Sequence, residues 1–253
     1  MRRATCFMLA FLCLMLSGCK APQEKTPNGS ETIIESAETE QPESTISETE
    51  NSEEKAEEAA EKETRKPNVH LDDEAFVCVT DYISDIKVEL KYATTDNITK
   101  TAVYDFKKVY LRYGTVKKLK KVQESLNEQG FCLKIWDGYR PIEAQFALWE
   151  AFPDARYVAN PNTGYSSHSR GNTVDVTMVY CSNGEEVTMP SGFDDFSELA
   201  NRDYDDCSDE AKNNALILEK VMEENGFKPY SAEWWHFSDV NSYAVEKNLH
   251  RNS

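Results

Sequence analysis

Apolar residues recur with helical spacing in two long stretches of the chain. From Tyr113 to Gln129 they follow three- and four-residue steps, lysines occupy most other positions, and Gly130 comes next, which predicts an amphipathic helix that ends at the glycine. The same pattern predicts a helix from Ala211 to Asn225, ended by Gly226. The two apolar stripes are Val116, Leu119, Val122 and Leu126 in the first helix and Ala211, Ala215, Leu218 and Met222 in the second.

Short β-branched and apolar runs between these helices predict strands. Another helix is predicted from Ile142 to Phe152, because the fixed φ of Pro141 suits the first helical position. Strands and helices follow each other without a β-α-β rhythm, which favours a single α+β domain: a mainly antiparallel sheet with helices covering one side. The predicted strands are Phe76–Val79, Ile86–Leu90, Phe131–Trp136, Val174–Val179 and Trp234–Val240.

The N-terminus has the pattern of an export signal. Arg2 and Arg3 precede an apolar run that ends near Leu16, which is typical of a secretory signal and shorter than the roughly 20 residues needed to span a bilayer. Leu16-Ser17-Gly18-Cys19 resembles a bacterial lipobox, which implies removal of residues 1–18 and lipidation of Cys19. Lipidated Cys19 would anchor the protein outside the bacterial cell membrane. An ordinary signal with a chance cysteine is the alternative.

Residues 19–66 are expected to form a disordered acidic tether. Residues 20–66 hold 14 acidic and 6 basic residues and no Phe, Trp or Tyr, so they cannot bury enough apolar surface to fold. Residues 67–253 carry 25 of the 27 aromatic residues, which predicts one globular domain there. The formal net charge of -17 disfavours a nucleic-acid partner, because an acidic surface repels phosphates.

Four cysteines remain in the predicted domain, and none has the C-x-x-C spacing of a thiolate metal site. In an oxidising compartment they could form up to two disulfides. Cys181 and Cys207 lie in loop-like sequence and are the favoured pair, whereas Cys78 and Cys132 lie in apolar strands and are expected to be buried.

Two of the four histidines lie among residues that can carry chemistry. His168 stands in a run of small, turn-forming residues that leads into a strand with Asp175, and His236 follows Glu233 and two tryptophans. A catalytic zinc ion takes three protein ligands from N and O donors and keeps one position open for water. His168, Asp175 and His236 supply that set and leave Glu233 unligated beside it. His70 and His250 are expected in solvent.

Each of these short patterns is weak by itself. A His-x6-Asp pair is more often a capped turn than a metal site. Residues three apart on an ideal strand face opposite ways, so Glu233 and His236 can share one cavity only if Trp234 and Trp235 twist or bulge the strand. The metal site is therefore a hypothesis that depends on local distortion of the chain.

Together, the motifs resemble a known family. Ser166-x-His168-x2-Gly171-x3-Asp175, followed by Glu233-Trp234-Trp235-His236, is similar to the zinc D-Ala-D-Ala peptidases, which act on cell-wall precursors. The segment Trp136–Pro141 resembles the arginine motif of the dipeptidase branch, and Leu90–Asn97 and Met189–Asp194 also resemble that branch. The resemblance covers about residues 76 to 240 and implies a Hedgehog/DD-peptidase-like fold.

The resemblance implies roles for the site residues. His168, Asp175 and His236 would bind one zinc ion, lowering the pKa of its water from about 15.7 toward 7. Glu233 would act as general base and pass the proton to the leaving amine. Arg140 would stabilise the oxyanion; a structural ion pair beside Pro141 is the alternative.

The resemblance also implies residues for substrate binding. Tyr92, Ser166 and Asp194 would gather around the amino end of a dipeptide, with Asp194 making a charge-assisted contact. The alternative for Asp194 is a turn-capping role. Trp136 and Tyr139 are expected in the core or the pocket wall.

The leading hypothesis is therefore a zinc-dependent D-Ala-D-Ala dipeptidase, a hydrolase that splits the free dipeptide into two D-alanines. The alternative is a D,D-carboxypeptidase that trims terminal D-Ala from peptidoglycan stem peptides. The export signal departs from the cytoplasmic dipeptidases of glycopeptide resistance that this domain resembles, which leaves scavenging of wall fragments open. A non-catalytic zinc-binding wall module is a third hypothesis, against which the unligated Glu233 argues.

Overall fold

The computed structural model describes residues 71–247 and Leu249. The predicted signal peptide, Cys19, the tether, His70 and His250 lie outside these residues. The boundaries at residues 18 and 66 therefore stay predictions. No helix of the described part is long and apolar enough to cross a membrane.

Seven strands form two sheets among residues 71–247. The larger sheet has five strands in the order β2-β4-β5-β7-β6, and all its neighbours are antiparallel except the parallel pair β2–β4. The strands β1 and β3 form a separate antiparallel pair. The strands are β1 Phe76–Cys78, β2 Lys87–Val88, β3 Tyr110–Arg112, β4 Phe131–Asp137, β5 Thr173–Tyr180, β6 Phe227–Tyr230 and β7 Glu233–Asp239.

In the part of the chain that the structure describes, three α-helices accompany the sheets: α1 Tyr113–Asn127, α2 Ile142–Ala151 and α3 Asp209–Glu224. The helix α1 packs against β4 and α3, and α3 packs against β6 and β7, so both cover one face of the large sheet. Both predicted apolar stripes are buried. These observations confirm the predicted α+β class with a mainly antiparallel sheet.

The ends of the helices differ slightly from the predictions. Pro141 precedes α2 as its N-cap, with an extended ψ of 149°, and is not its first residue as expected. The helix α3 begins at Asp209, before the predicted Ala211, because the Ser208 side chain accepts a hydrogen bond from the backbone N–H of Ala211. Neither β3 nor β6 was predicted.

Side-chain alternation gives β5 two different faces. Val174, Val176 and Met178 are fully buried, and Ile135 of β4 lies opposite Val176 in this apolar layer. The residues between them point to the other side of the sheet. Asp175 is one of these, so the sheet places it on the face opposite the apolar layer.

The disulfide differs from the favoured prediction. Cys132 of β4 is bonded to Cys181, just after β5, with 5.1 Å between their Cα atoms. Pairing Cys181 with Cys207 was wrong, because the antiparallel β4–β5 pairing brings the start of one strand beside the end of the other. Cys207 and Cys78 are free and half-buried, so the expectation that Cys78 is buried was also wrong, whereas Cys132 is buried as expected.

Candidate metal centre

Three of the predicted site residues come together on the sheet face opposite the apolar layer. Asp175 of β5 lies directly opposite His236 of β7, and His168 reaches them from a short 3-10 helix, Ser167–Arg170. Asp175 Oδ1 lies 3.0 Å from His236 Nδ1 and 3.4 Å from His168 Nε2. The two imidazole nitrogens are 3.4 Å apart. The three side chains that the sequence indicated as a ligand set thus lie together in the structure.

The hydrogen bonds of His168 indicate how its ring faces the cluster. Its Nδ1 lies 2.8 Å from the carbonyl oxygen of Gly138, and because a carbonyl can only accept, Nδ1 carries the proton. In the neutral ring Nε2 then presents a lone pair toward Asp175. Such a backbone bond is the usual way in which a protein orients a metal-binding histidine.

The cluster suits a zinc ion on its donor chemistry. Within the described residues, Asp175 Oδ1 is a buried oxygen that lacks a hydrogen-bond partner, although two imidazole nitrogens lie within 3.4 Å. Lone pairs this close repel unless a proton or a cation lies between them. Zinc–ligand distances of about 2.0–2.1 Å put neighbouring ligands of a tetrahedral site roughly 3.3 Å apart, in agreement with the observed separations.

The charges of the cluster are strongly coupled. Burial opposes ionisation of Asp175, but His168 and His236 beside it hold the pKa of its carboxyl well below the usual range. Burial lowers the pKa of His236, against the opposing effect of Asp175. An ionised carboxylate beside a neutral imidazole is the form in which both residues bind a divalent metal.

The local sequence around His168 explains its position. The Ser166 hydroxyl accepts a hydrogen bond from the backbone N–H of His168 and caps the 3-10 helix. Gly171 ends it with a φ of 73°, a left-handed conformation that favours glycine. A Cβ at Gly171 would collide with the ring of Phe76. The small residues of the motif therefore turn the chain sharply between the histidine and β5.

A bulge brings Glu233 to the same cavity as His236. In the β6–β7 pairing, Pro229 lies opposite Phe237 while Tyr230 lies opposite Glu233, so β7 carries extra residues at this point. Glu233 Oε2 is 3.4 Å from His236 Nδ1 as a result. Burial, reinforced by the negative charge of Asp175, raises the pKa of Glu233 well above its usual value. The distortion that the sequence required of Trp234 and Trp235 is present.

Arg140 is held by a buried network that the sequence analysis did not describe. Its Nε and Nη2 donate to Asp137 Oδ2 at 3.0 and 2.7 Å, and its Nη1 donates to Gln145 at 2.9 Å. Asp137 also accepts from the Tyr104 hydroxyl at 2.8 Å. Although burial disfavours the charged guanidinium, Asp137 keeps the pKa of Arg140 well above its usual value.

The ion pair that was the alternative role for Arg140 is therefore present, yet Arg140 also lines the cavity, with Nη2 3.8 Å from Asp175 Oδ2. Asp137 lies opposite Asp175 in the sheet, after an irregularity in the β4–β5 register. Its place beside Arg140 in the Trp-Asp-Gly-Tyr-Arg-Pro motif was the only sequence signal for it. Gln145 and Tyr104 gave none.

Asp194 and Tyr92 form one wall of the cavity although they are far apart in sequence. The Tyr92 hydroxyl donates to Asp194 Oδ1 at 3.0 Å, and the backbone N–H of Ile98 donates to Oδ2 at 3.1 Å. Burial raises the pKa of Asp194 to about 6. Asp194 has a φ of 57°, a left-handed conformation that is uncommon outside glycine. Ser166 lines the same cavity.

The cavity has a volume of about 340 Å³, which is in the range of small-molecule sites. The predicted ligands, Glu233, Arg140, Tyr92 and Asp194 all line it, as do Trp235 and the loop that follows α2. Trp136 and Tyr139 do not line the cavity. They lie in the core, which was one of the two positions expected for them.

Comparison with known proteins bears on this site. A family model described as D-ala-D-ala dipeptidase (Peptidase_M15) matches residues 72–251. The D-alanyl-D-alanine dipeptidase of Escherichia coli (strain K12) is 38% identical over 153 residues, which cover 60% of this chain and 78% of that protein. The D-alanyl-D-alanine dipeptidase of Enterococcus faecium is 34% identical over 181 residues, 64% of this chain and 90% of that protein.

Among solved structures, VanYB in complex with D-Alanine-D-Alanine matches with a TM-score of 0.35 and 17% identity. The match covers 53% of this chain and 73% of that one.

Proposed function

The chain belongs to the D-Ala-D-Ala dipeptidase family and is a hydrolase, and we propose that it splits the free dipeptide D-Ala-D-Ala into two D-alanines. The observation that carries this proposal is the convergence of His168, Asp175 and His236, with Glu233 beside them, in one cavity. A metal-binding triad with an adjacent unligated carboxylate is the arrangement expected of a hydrolytic site rather than of a structural zinc site.

The zinc ligands in this proposal are His168 Nε2, Asp175 Oδ1 and His236 Nδ1. Bound zinc supplies a Lewis acid and lowers the pKa of its water from about 15.7 toward 7. The protein's own contribution is to hold the three donors at the observed separations of 3.0–3.4 Å. The Gly138 carbonyl fixes the ring of His168 in this orientation.

Glu233 is the general base in this proposal. The bulge in β7 brings it to the same cavity as His236, and its side chain is buried. A carboxylate with a raised pKa is a stronger base than one in water, so Glu233 can accept a proton from the attacking water and then donate it to the leaving amine. One residue thus serves both proton transfers.

Arg140 stabilises the negative charge that develops on the scissile carbonyl oxygen. Three of its five N–H groups are bound by Asp137 and Gln145, which leaves two N–H groups to donate to substrate. The rigid anchoring means that little reorganisation is needed in the transition state. Removing one such donor typically costs about 2.7–4 kcal/mol of barrier stabilisation.

The amino end of the dipeptide lies against Asp194 in this proposal, with Tyr92 and Ser166 beside it. A buried carboxylate that accepts only one hydroxyl and one N–H retains lone pairs for an ammonium group. In this proposal the contact between Asp194 and Tyr92 would close this end of the site, and closure would favour a free dipeptide over a longer stem peptide. A D,D-carboxypeptidase would need the same end to be open.

We further propose that the protein works outside the cytoplasmic membrane, anchored through lipidated Cys19. The bond between Cys132 and Cys181 supports this location, because disulfides persist mainly in oxidising compartments. Detergent phase partition of cells that express the wild-type protein or Cys19→Ser tests the anchor. Retention of both forms in the detergent phase would refute it.

One assay distinguishes the candidate functions. The purified zinc-loaded protein is offered D-Ala-D-Ala and the same dipeptide with its amino group acetylated, and released D-alanine is measured. Turnover of the free dipeptide alone supports the proposal, whereas turnover of the acetylated form indicates a carboxypeptidase. Lack of turnover with either substrate would favour a binding module.

A further inference from the structure

A dipeptide carries a carboxylate as well as an ammonium group, and nothing described above binds the carboxylate. The cavity has three long cationic side chains in its lining: Arg140, Arg156 and Lys228. The charge of Arg140 is paired with Asp137, and the charge of Arg156 is paired with Asp154 at 2.5–3.1 Å. The side chain of Lys228 has no hydrogen bond or ion pair to another described residue. It is therefore the one uncompensated cation of the described lining.

The sheet order separates the two ends of the cavity. Tyr92, which binds Asp194, lies in a short 3-10 helix after β2 that contacts β4. Lys228 lies on β6, at the opposite edge of the sheet, and the ligands of β5 and β7 lie between. Asp194 thus lies toward the β2–β4 side of the cavity and Lys228 on its β6 side, an arrangement that matches the two charged ends of a zwitterionic dipeptide.

A second donor accompanies Lys228. The β6–β7 register places Lys228 directly opposite Ser238, and both line the cavity. Ser238 stands two residues after His236 on β7, so its side chain projects from the same face of the sheet. The hydroxyl of Ser238 shares a 2.9 Å hydrogen bond with Thr173, and when Thr173 is not its acceptor it can donate to a ligand.

The distances suit the carboxylate of the leaving D-alanine. That group lies about one residue, roughly 3.5 Å, beyond the scissile bond. Adjacent strands are about 4.8 Å apart, so a carbonyl held beside β5 and β7 puts the carboxylate near β6. The Tyr230 hydroxyl donates to the Arg156 carbonyl at 2.8 Å, which ties the end of β6 to the loop after α2 at this side of the cavity.

We propose that Lys228, with Ser238, binds the C-terminal carboxylate of the substrate. This inference rests on the proposed dipeptidase function. It gives a binding partner to the C-terminal carboxylate, the one charged group of the dipeptide that had none in that proposal. Lys228 binds the carboxylate equally in the ground state and the transition state, so it contributes to KM more than to kcat.

The test compares two substrates on three variants. D-Ala-D-Ala and D-Ala-D-Ala amide differ only in the carboxylate, and their ratio of kcat/KM isolates its contribution. In the wild type the ratio favours the carboxylate about tenfold or more. In Lys228→Gln this ratio of kcat/KM falls close to one, because KM for the free dipeptide rises. Lys228→Arg keeps a positive charge and therefore keeps most of the preference for the free dipeptide. Lys220→Gln is the matched control, because it makes the same charge change on exposed α3 outside the cavity.

An unchanged ratio in Lys228→Gln, with wild-type turnover and melting temperature, would overturn the assignment and leave the dipeptidase function intact. If the wild type hydrolyses neither substrate, the proposed function fails by itself. Calorimetric titration of both dipeptides into wild type and Lys228→Gln then decides the subsite. Equal affinities in the two proteins, or lack of binding to the wild type, would overturn it.

Discussion

Asp175 and His236 face each other directly across β5 and β7, with 3.0 Å between Oδ1 and Nδ1. Asp137 continues the row, because it lies opposite Asp175 on β4. Three residues that are distant in sequence thus become neighbours through strand pairing alone. In the proposed function Asp175 and His236 both bind zinc, and the carboxylate of Asp137 holds Arg140 beside them.

Replacing Glu233 separates metal binding from proton transfer. Glu233→Gln keeps the size of the side chain but cannot accept the proton, so kcat for D-Ala-D-Ala should fall by about 10²–10⁴. The zinc content should stay at one ion per protein, because Glu233 is outside the ligand triad. Steady-state kinetics and metal analysis of the same preparation check both statements. A fully active Glu233→Gln would remove Glu233 from the mechanism; Glu224→Gln, exposed on α3, is the control.

Removing the metal should lower stability as well as activity. Ligand binding to the native state alone stabilises by about 2.7 kcal/mol at a hundred times the dissociation constant. That corresponds to a melting temperature lower by roughly 5–10 °C in the chelated protein. Scanning calorimetry with chelator, and again after zinc is restored, measures the shift. An identical melting temperature in all three samples would contradict zinc binding by His168, Asp175 and His236.

Arg140→Lys should damage catalysis with zinc still bound. Lysine keeps the positive charge, but its ammonium cannot donate to Asp137, Gln145 and the substrate through the fixed geometry of a guanidinium. We expect kcat to fall by about 10²–10³, the cost of one lost oxyanion donor. Kinetics with parallel zinc determination distinguish this from loss of the metal. An unchanged kcat would leave Arg140 with the structural role alone.

The affinity for D-Ala-D-Ala should weaken in mild acid. Burial raises the pKa of Asp194 to about 6, so its carboxyl is ionised above that pH and becomes neutral as the pH falls through it. The neutral form loses the charge that attracts the substrate ammonium, and KM should therefore rise below about pH 6. Asp194→Asn should have a high KM that does not vary over this range. Parallel KM profiles in the two proteins would refute the assignment of Asp194.

Breaking the disulfide should destabilise the domain. The bond between Cys132 and Cys181 closes a separation of 49 residues, for which the chain-entropy model gives about 4 kcal/mol. Cys181→Ser should lose much of this free energy of unfolding, measured by chemical denaturation. Cys207→Ser removes a free, half-buried thiol and is the control. Equal losses in the two variants would show that the bond does not form in solution.

The predictable part of the fold was the part that depends on local sequence. The stripes of α1 and α3 were predicted because a helix is stabilised within one segment and repeats every 3.6 residues. The strand β3 was missed because it runs directly into α1 at Tyr113, and β6 was missed because Pro229 lies within it. The disulfide was predicted wrongly because the register of β4 and β5 depends on residues outside either cysteine's segment.

The sequence by itself determined which donors are available: two imidazoles, a carboxylate between small residues and a strand, and a glutamate beside tryptophans. These are properties of residue type and short spacing, so they can be read from the sequence alone. Strand order decided the remainder, because it sets distances across the sheet that no local spacing encodes. Only the tertiary structure could bring Asp137 opposite Asp175, Tyr92 to Asp194, and Lys228 to the far end of the same cavity.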